Sequence, residues 1–175
     1  MVNVHFSRRY AMAHRLIAGT SEKCAVPHGH NEVVTVELEP LRPLQLGGAN
    51  ALAPFEALKA TWHGWIDGAV DHALQLNAAD PLLDWFAAHE PARLARIMVF
   101  PGDPTTEALA IVLFSKLSAF LAAEAAPFRL ARLSVEETPT NRVSVDGAGM
   151  AGIVLPEGVW FRRADFTINE FAAPA

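Results

Sequence analysis

The chain contains little cysteine and little charge, and these shortages narrow its class. It has a single cysteine among 175 residues, which excludes an internal disulfide framework and favours a reducing compartment, the cytoplasm. Charged residues make up 19% of the chain and hydrophobic residues 51%, a balance that predicts a folded chain. The formal net charge of -5 argues against a broad nucleic-acid-binding surface.

Long uninterrupted hydrophobic runs are also missing. The first nine residues lack the apolar core of a secretory signal peptide. The longest apolar run, residues 108–123, is interrupted by Ser115, Lys116 and Ser118, and it is too short to span a bilayer. We therefore expect a buried helix there and no membrane partner.

The length and the order of predicted elements are typical of one α+β domain. Helical spacing follows Pro54, and Thr105 or Thr106 can cap a long helix that ends near Ala123. Two strands, two main helices and then strands indicate an antiparallel sheet with both helices on one face. The strands are predicted at residues 2–13, 28–39, 128–138 and 142–145, with two more at 152–155 and 159–168.

Three histidines provide the first functional signal. His28 and His30 are spaced i, i+2 on a predicted strand, so their side chains point to the same face. His14 directly follows the preceding predicted strand, on the same parity as Tyr10 and Met12. Three imidazoles suit zinc and leave one coordination position open, as in catalytic zinc sites. The alternative is structural histidines without a metal.

Cys24 lies four residues before His28 and has three interpretations. It is a fourth ligand that closes a structural zinc site, or an inert buried thiol. In the third interpretation it is a thiolate base or nucleophile beside a cation. The spacing does not separate these alternatives.

Asp71 and His72 adjoin at the end of the first predicted helix. They are either a solvated polar pair or a base that is oriented by a carboxylate. Adjacent residues on a helix do not face each other. Direct assistance of His72 by Asp71 therefore requires the helix to end there.

Glu137 is predicted to point inward at the end of a strand. It shares strand parity with Leu133, whereas Glu136 points outward. A buried carboxylate needs a partner. That partner is either a ligand with paired N–H donors, such as an aminopyrimidinone ring, or Arg132 or Arg142 in a salt bridge.

An ordered set of motifs covers roughly residues 5–145. It comprises Tyr10-Ala-Met-Ala-His14, Cys24-Ala-Val-Pro-His28-Gly-His30-Asn31, Asp71-His72 with Leu76-Asn77, Pro104-Thr105-Thr106-Glu107, and Glu137-Thr138. This ordered set resembles the superfamily of 6-pyruvoyl-tetrahydropterin synthase and 6-carboxy-tetrahydropterin synthase. The resemblance implies a tunnelling fold, an antiparallel sheet with two helices on its outer side. It also implies a homo-oligomer, commonly a dimer of trimers (a homohexamer), with active sites between subunits.

The resemblance further implies a zinc site, a proton-transfer group and a pterin pocket. The zinc ligands would be His14, His28 and His30. The proton-transfer group would be Cys24, Asp71 and His72. Glu137 would bind the pterin, with Thr105, Thr106 and Glu107 as further pocket residues. The family core would span residues 2–146, within a single domain of residues 1–175 that carries a C-terminal extension over residues 147–175.

The implied activity is that of a zinc-dependent lyase acting on 7,8-dihydroneopterin triphosphate. In the carboxy branch, acetaldehyde and triphosphate leave and 6-carboxy-tetrahydropterin forms for the queuosine pathway; an alanine-rich chain that keeps Cys24, His28 and His30 in register favours this branch. In the pyruvoyl branch, triphosphate is eliminated without carbon–carbon cleavage. A non-catalytic paralogue that binds pterin or zinc is the alternative from another class.

Several segments depart from the family pattern. Glu32 stands where the family usually has an aromatic residue after His-Gly-His-Asn. The stretch Asn50-Ala-Leu-Ala-Pro-Phe55 lacks the aspartate of the corresponding family segment. The linker 78–103 is long, and the extension contains a strand-like stretch, residues 160–168. These departures affect the expected substrate more than the expected fold.

Overall fold

A six-stranded mixed sheet forms the framework of the protein, with strand order β4-β3-β1-β2-β5-β6. The computed structural model describes residues 2–19, 21–43, 47–48 and 50–171. Strands β1, β2, β5 and β6 pair antiparallel, whereas β3 and β4 are added in parallel beside β1. This confirms the predicted α+β class. The strands are β1 (Val4–His14), β2 (His28–Pro40), β3 (Ala73–Asn77), β4 (Ile97–Phe100), β5 (Phe128–Thr138) and β6 (Asn141–Asp146).

Two main helices cover one face of the sheet, as the sequence predicts. Thr105 caps the longer one, because its hydroxyl accepts a hydrogen bond from the Ala108 N–H at 3.3 Å. The shorter one buries Trp62 and Trp65 in the main core. The helices are α1 (Glu22–Ala25), α2 (Phe55–Trp65), α3 (Pro81–His89), α4 (Thr106–Ala123) and α5 (Gly147–Ala151).

Strand parity decides which side chains of β1 and β2 face the helices. Tyr10, Met12, Val34 and Val36 are buried in the main core together with residues of α2 and α4. Side chains two residues apart on a strand share a face. His14, His28, His30 and Glu32 therefore lie on the helix-covered face of the sheet.

Helix α4 is the central helix of this core. By length and composition alone it is long and apolar enough to cross a membrane, yet 56% of it is buried inside the fold. Such burial is what the interrupted apolar run predicts. Lys116 within α4 is fully buried and donates to the Trp160 carbonyl at 3.0 Å and to Asp165 at 3.2 Å.

The predicted linker, residues 78–103, is largely structured. It contains α3, a 3-10 helix over Pro91–Arg96 and strand β4. The sequence pattern misses β3 and β4 because both are short and three of the four β4 residues are buried. Buried parallel strands do not show the alternation of a half-exposed strand.

The predicted strands at residues 152–155 and 159–168 are wrong. In the described part of the extension, which ends at residue 171, the regular elements are α5 and a 3-10 turn over Trp160–Arg162. Asp146 caps α5, because its carboxylate accepts a hydrogen bond from the Gly149 N–H at 2.9 Å. The apolar residues of the extension are anchors: Trp160 and Phe161 insert into the main core and form no sheet face.

Candidate metal centre and active site

Three histidines converge at one end of the helix-covered face. Their ligand nitrogens all lie within 4.8 Å of one another. Antiparallel pairing sets His14 directly opposite His28, and their Nε2 atoms are 3.1 Å apart. The ring of His30 is centred 5.2 Å from that of His14 and 5.1 Å from that of His28. Two strands thus bring together the residues that the spacing predicts.

Backbone carbonyls orient two of the three rings. The Nδ1–H of His14 donates to the Pro104 carbonyl at 2.9 Å, and that of His28 donates to the Val26 carbonyl at 2.9 Å. These bonds leave both Nε2 atoms unprotonated and directed at the cluster. Burial lowers the pKa of His14, which favours the neutral form that binds metals.

The cluster fits a zinc ion. Tetrahedral ligands at zinc–nitrogen distances of 2.0–2.1 Å are about 3.3 Å apart, close to the 3.1 Å between the His14 and His28 nitrogens. Gly29 permits this approach, because a Cβ atom there would lie 2.6 Å from the Met12 carbonyl oxygen. Only a residue without a side chain brings β2 this close to β1 at the cluster.

Cys24 lies outside the histidine cluster. It belongs to the short helix α1, which Ser21 caps, and its carbonyl accepts from the Leu16 N–H at 2.8 Å. Its sulfur is not part of the group of ligand atoms within 4.8 Å. The geometry therefore disfavours Cys24 as a fourth ligand, and the three histidines leave a coordination position open.

Asp71 and His72 contact each other because the helix ends before them. Helix α2 continues as a π-helical turn over Ile66–Val70, and His72 then adopts a left-handed conformation with φ of 63°. The Nδ1 atom of His72 lies 3.0 Å from Asp71 Oδ2. The Ala11 N–H, followed by His72, lowers the pKa of Asp71, so the carboxylate is ionised and orients the imidazole.

The chain does not connect this pair to the metal cluster. Among the described residues, no hydrogen bond or ion pair joins Asp71 or His72 to Cys24 or to the three histidines. The His72 side chain is 77% exposed. The resemblance implies a proton-transfer group of Cys24, Asp71 and His72. Within one chain, Cys24 is therefore not in contact with the other two residues.

Glu137 lies beside the cluster, at the end of β5. The hydroxyl of Thr106 donates to its carboxylate at 2.7 Å, and its negative charge acts on His14, where it opposes the effect of burial on the pKa. Arg142 pairs with Glu136 instead, so the salt-bridge alternative for Glu137 is not observed among the described residues. Glu107 lies apart and lines a groove against β6.

Comparisons with known proteins identify the family and the fold. The family model of 6-pyruvoyl tetrahydropterin synthase matches residues 3–148. The chain belongs to this family. Members of the 6-pyruvoyl tetrahydropterin synthase family are lyases that eliminate triphosphate from a pterin, and the chain shares this general activity. No curated protein matches it significantly.

Solved structures show the same fold. An uncharacterized protein from Wolinella succinogenes is 20% identical with a TM-score of 0.68, over 83% of this chain and 98% of that one. The 6-pyruvoyl tetrahydropterin synthase of Caenorhabditis elegans is 24% identical with a TM-score of 0.55, over 83% of this chain and 95% of that one. The enzyme of the same name from Plasmodium vivax is 16% identical with a TM-score of 0.59, over 82% of this chain and 96% of that one. At these identities the likeness concerns the fold alone.

Glu32 is the residue of this site that the motif pattern does not place. It is 1% exposed and lies opposite Tyr10, and its neighbour Val33 pairs with Glu136 in the β2–β5 register. Neither of its oxygens has a partner at hydrogen-bond geometry among the described residues. Burial raises the pKa of Glu32 to about 7; the nearby Tyr10 hydroxyl opposes this rise and Glu137 adds to it. The only sequence signal is its departure from the family's aromatic residue.

Proposed function

We propose that the protein is a zinc-dependent lyase that converts 7,8-dihydroneopterin triphosphate and water to 6-carboxy-5,6,7,8-tetrahydropterin, acetaldehyde and triphosphate. The observation that carries this proposal is the convergence of three histidine nitrogens without the sulfur of Cys24. A structural zinc needs a fourth protein ligand, whereas an open position receives a substrate oxygen. The proposal places the reaction in the cytoplasm, where a lone cysteine stays reduced.

The roles of the residues follow from their positions. His14, His28 and His30 would hold the zinc, which would supply Lewis-acid chemistry to oxygens of the substrate side chain. Cys24, as a thiolate, removes the carbon-bound proton beside the pterin ring. His72, oriented by Asp71 at 3.0 Å, transfers protons on the other side of the substrate.

Glu137 binds the ring in this proposal. Thr106 occupies one carboxylate oxygen of Glu137 at 2.7 Å, which fixes the orientation of the carboxylate. Further lone pairs remain to accept the paired N–H donors of a pterin. Thr105 contributes by capping α4, which places Thr106. Glu107 lies in the groove against β6 and is therefore a weaker candidate for a pterin-binding residue.

A second copy of the chain completes the site in this proposal. Within the described ranges, residues 4–10 of β1 have no strand partner on the side of β3, since β3 pairs with residues 12–14, and β6 ends the sheet. Pairing of these two edges between copies produces a closed ring. A homo-oligomer, a dimer of trimers, then brings His72 of one copy to Cys24 of another.

The test is an assay of the zinc-loaded protein with 7,8-dihydroneopterin triphosphate. We expect equimolar acetaldehyde and triphosphate. Triphosphate without acetaldehyde would indicate the pyruvoyl-type reaction instead, and the absence of both would indicate a non-catalytic paralogue. The matched variant is Cys24→Ala, which should abolish turnover while zinc stays bound. Loss of zinc from that variant would contradict the assignment of Cys24 as the base.

A further inference from the structure

The peptide group between Asp71 and His72 is held at both of its polar ends. Its N–H, on His72, donates to the Ala11 carbonyl at 2.8 Å. Its carbonyl, on Asp71, accepts from Arg96 Nη2 at 2.5 Å. The orientation of this peptide group determines φ of His72, which is 63°. Such a left-handed backbone is uncommon for a residue other than glycine and persists where its surroundings enforce it.

Two nitrogens of the Arg96 guanidinium donate hydrogen bonds to backbone carbonyls of this turn. Nη1 donates to the Gly68 carbonyl at 2.5 Å, beside the bond from Nη2 to the Asp71 carbonyl. Gly68 lies in the π-helical turn and Asp71 follows it directly. The planar fork of arginine therefore fixes these two carbonyls relative to each other, a geometry that lysine does not reproduce.

Arg96 reaches this turn through a segment that the family pattern does not predict. It is the last residue of the 3-10 helix in the long linker and immediately precedes β4. Strand β4 pairs in parallel with β3, with Ile97 opposite Leu74. Arg96 therefore lies beside the start of β3. His72 immediately precedes that strand.

We propose that Arg96 is a positioning residue for the Asp71–His72 pair. By fixing the Asp71 carbonyl it keeps His72 in its left-handed conformation and the imidazole in contact with the Asp71 carboxylate. The inserted linker thus has a role in the proton-transfer group. This inference rests on the proposed function for its kinetic consequences, but its structural claim stands on the contacts alone.

Kinetics of zinc-loaded variants provide the first test. Arg96→Ala should lower kcat about 10- to 100-fold, because small misplacements of a catalytic group have effects of this size, while KM and zinc content stay unchanged. Arg96→Lys keeps a cation without the fork and should be intermediate. The matched control is Arg93→Ala on the same 3-10 helix, since Arg93 pairs with exposed Glu90 at 3.6 Å and with no other acidic residue in the described part of the chain; it should keep full activity. A kcat for Arg96→Ala within twofold of the unmodified protein would overturn the proposal.

A spectroscopic test separates this inference from the proposed function. In a histidine-ring ¹H–¹⁵N correlation spectrum of the unmodified protein, His72 should show the Nδ1-protonated tautomer that Asp71 selects. Arg96→Ala should lose this tautomer preference, and Arg93→Ala should keep it. An unchanged His72 spectrum in Arg96→Ala would overturn the inference. If the unmodified protein does not turn over the pterin triphosphate, the proposed function fails and this spectrum alone decides the role of Arg96.

Discussion

Gly29 shows at the scale of single residues how the metal cluster depends on close strand contact. A methyl group at this position would meet the Met12 carbonyl oxygen at 2.6 Å, so β1 and β2 would have to separate where His14 faces His28. We expect Gly29→Ala to lower zinc affinity at least about tenfold, because ligand geometry tolerates only small shifts. Competition with a chelator of known affinity measures this. Gly19→Ala, where the nearest atom is 3.8 Å away, should have no effect.

Glu32 is a buried carboxylate without a partner at hydrogen-bond geometry among the described residues. An unpaired buried charge destabilises a fold, and an apolar residue of similar size removes this penalty. Glu32→Met should therefore raise the free energy of unfolding of the metal-free protein by about 1–4 kcal/mol, as measured by urea denaturation. Glu37→Met, which removes the acceptor of the Asn3 side-chain hydrogen bond, should not stabilise. A loss of stability in Glu32→Met would show that the carboxylate has a partner.

At the scale of elements, the C-terminal extension is fastened to α4 by a buried ion pair. Lys116 lies 3.2 Å from Asp165 and 5.4–5.7 Å from the ring centres of Trp65, Phe120 and Trp160. Burial by itself would raise the pKa of Asp165. Hydrogen bonds from Thr167 and the Lys116 ammonium outweigh that effect, and the pKa falls to about 2.

This ion pair predicts a pH-dependent stability. A carboxyl with a pKa lowered from about 3.9 contributes stability that is fully present above that value and is lost as the pH falls through about 2. Asp165→Asn should lower the free energy of unfolding by about 3 kcal/mol at pH 7 and by clearly less at pH 3. Urea denaturation at both pH values measures the difference. Exposed Asp84→Asn is the control, and an equal effect of Asp165→Asn at both pH values would contradict the prediction.

The elements divide into those that local pattern predicts and those that it misses. The bounds of β5 and the Thr105 cap of α4 follow from alternation and capping. Strands β3 and β4 depend on burial between neighbours, which a five- or four-residue segment does not encode by itself. The sequence pattern predicts strands in the extension, yet Trp160 and Phe161 serve as separate anchors in the core.

At the scale of the whole molecule, the extension protects one edge of the sheet. The Val99 N–H donates to the Ile168 carbonyl at 3.0 Å, and the Val99 carbonyl accepts from Trp160 Nε1 at 2.8 Å. Asn169 donates to the Ile97 carbonyl at 2.7 Å. Polar groups of β4 that would otherwise pair with another strand are thus occupied.

Removal of residues 152–175 should expose the β4 edge and the apolar side of α4. We expect the truncated protein to form large, heterogeneous aggregates, because an uncovered edge strand pairs with other chains. Size-exclusion chromatography with light scattering distinguishes these aggregates from a defined oligomer. A truncated protein of the same size and melting temperature as the full chain would show that the extension does not protect the edge.

The sequence by itself determined the elements and the chemistry whose signals are local. Spacing on a strand placed His28 and His30 on one face, and ordered motifs identified the family that the match over residues 3–148 shows. The tertiary structure decided what depends on distant segments meeting. It excluded Cys24 from the ligand cluster, left Glu32 buried beside Glu137 and brought Arg96 to the turn of His72. Strand register and loop paths set these relations, and neither is encoded within a short window of sequence.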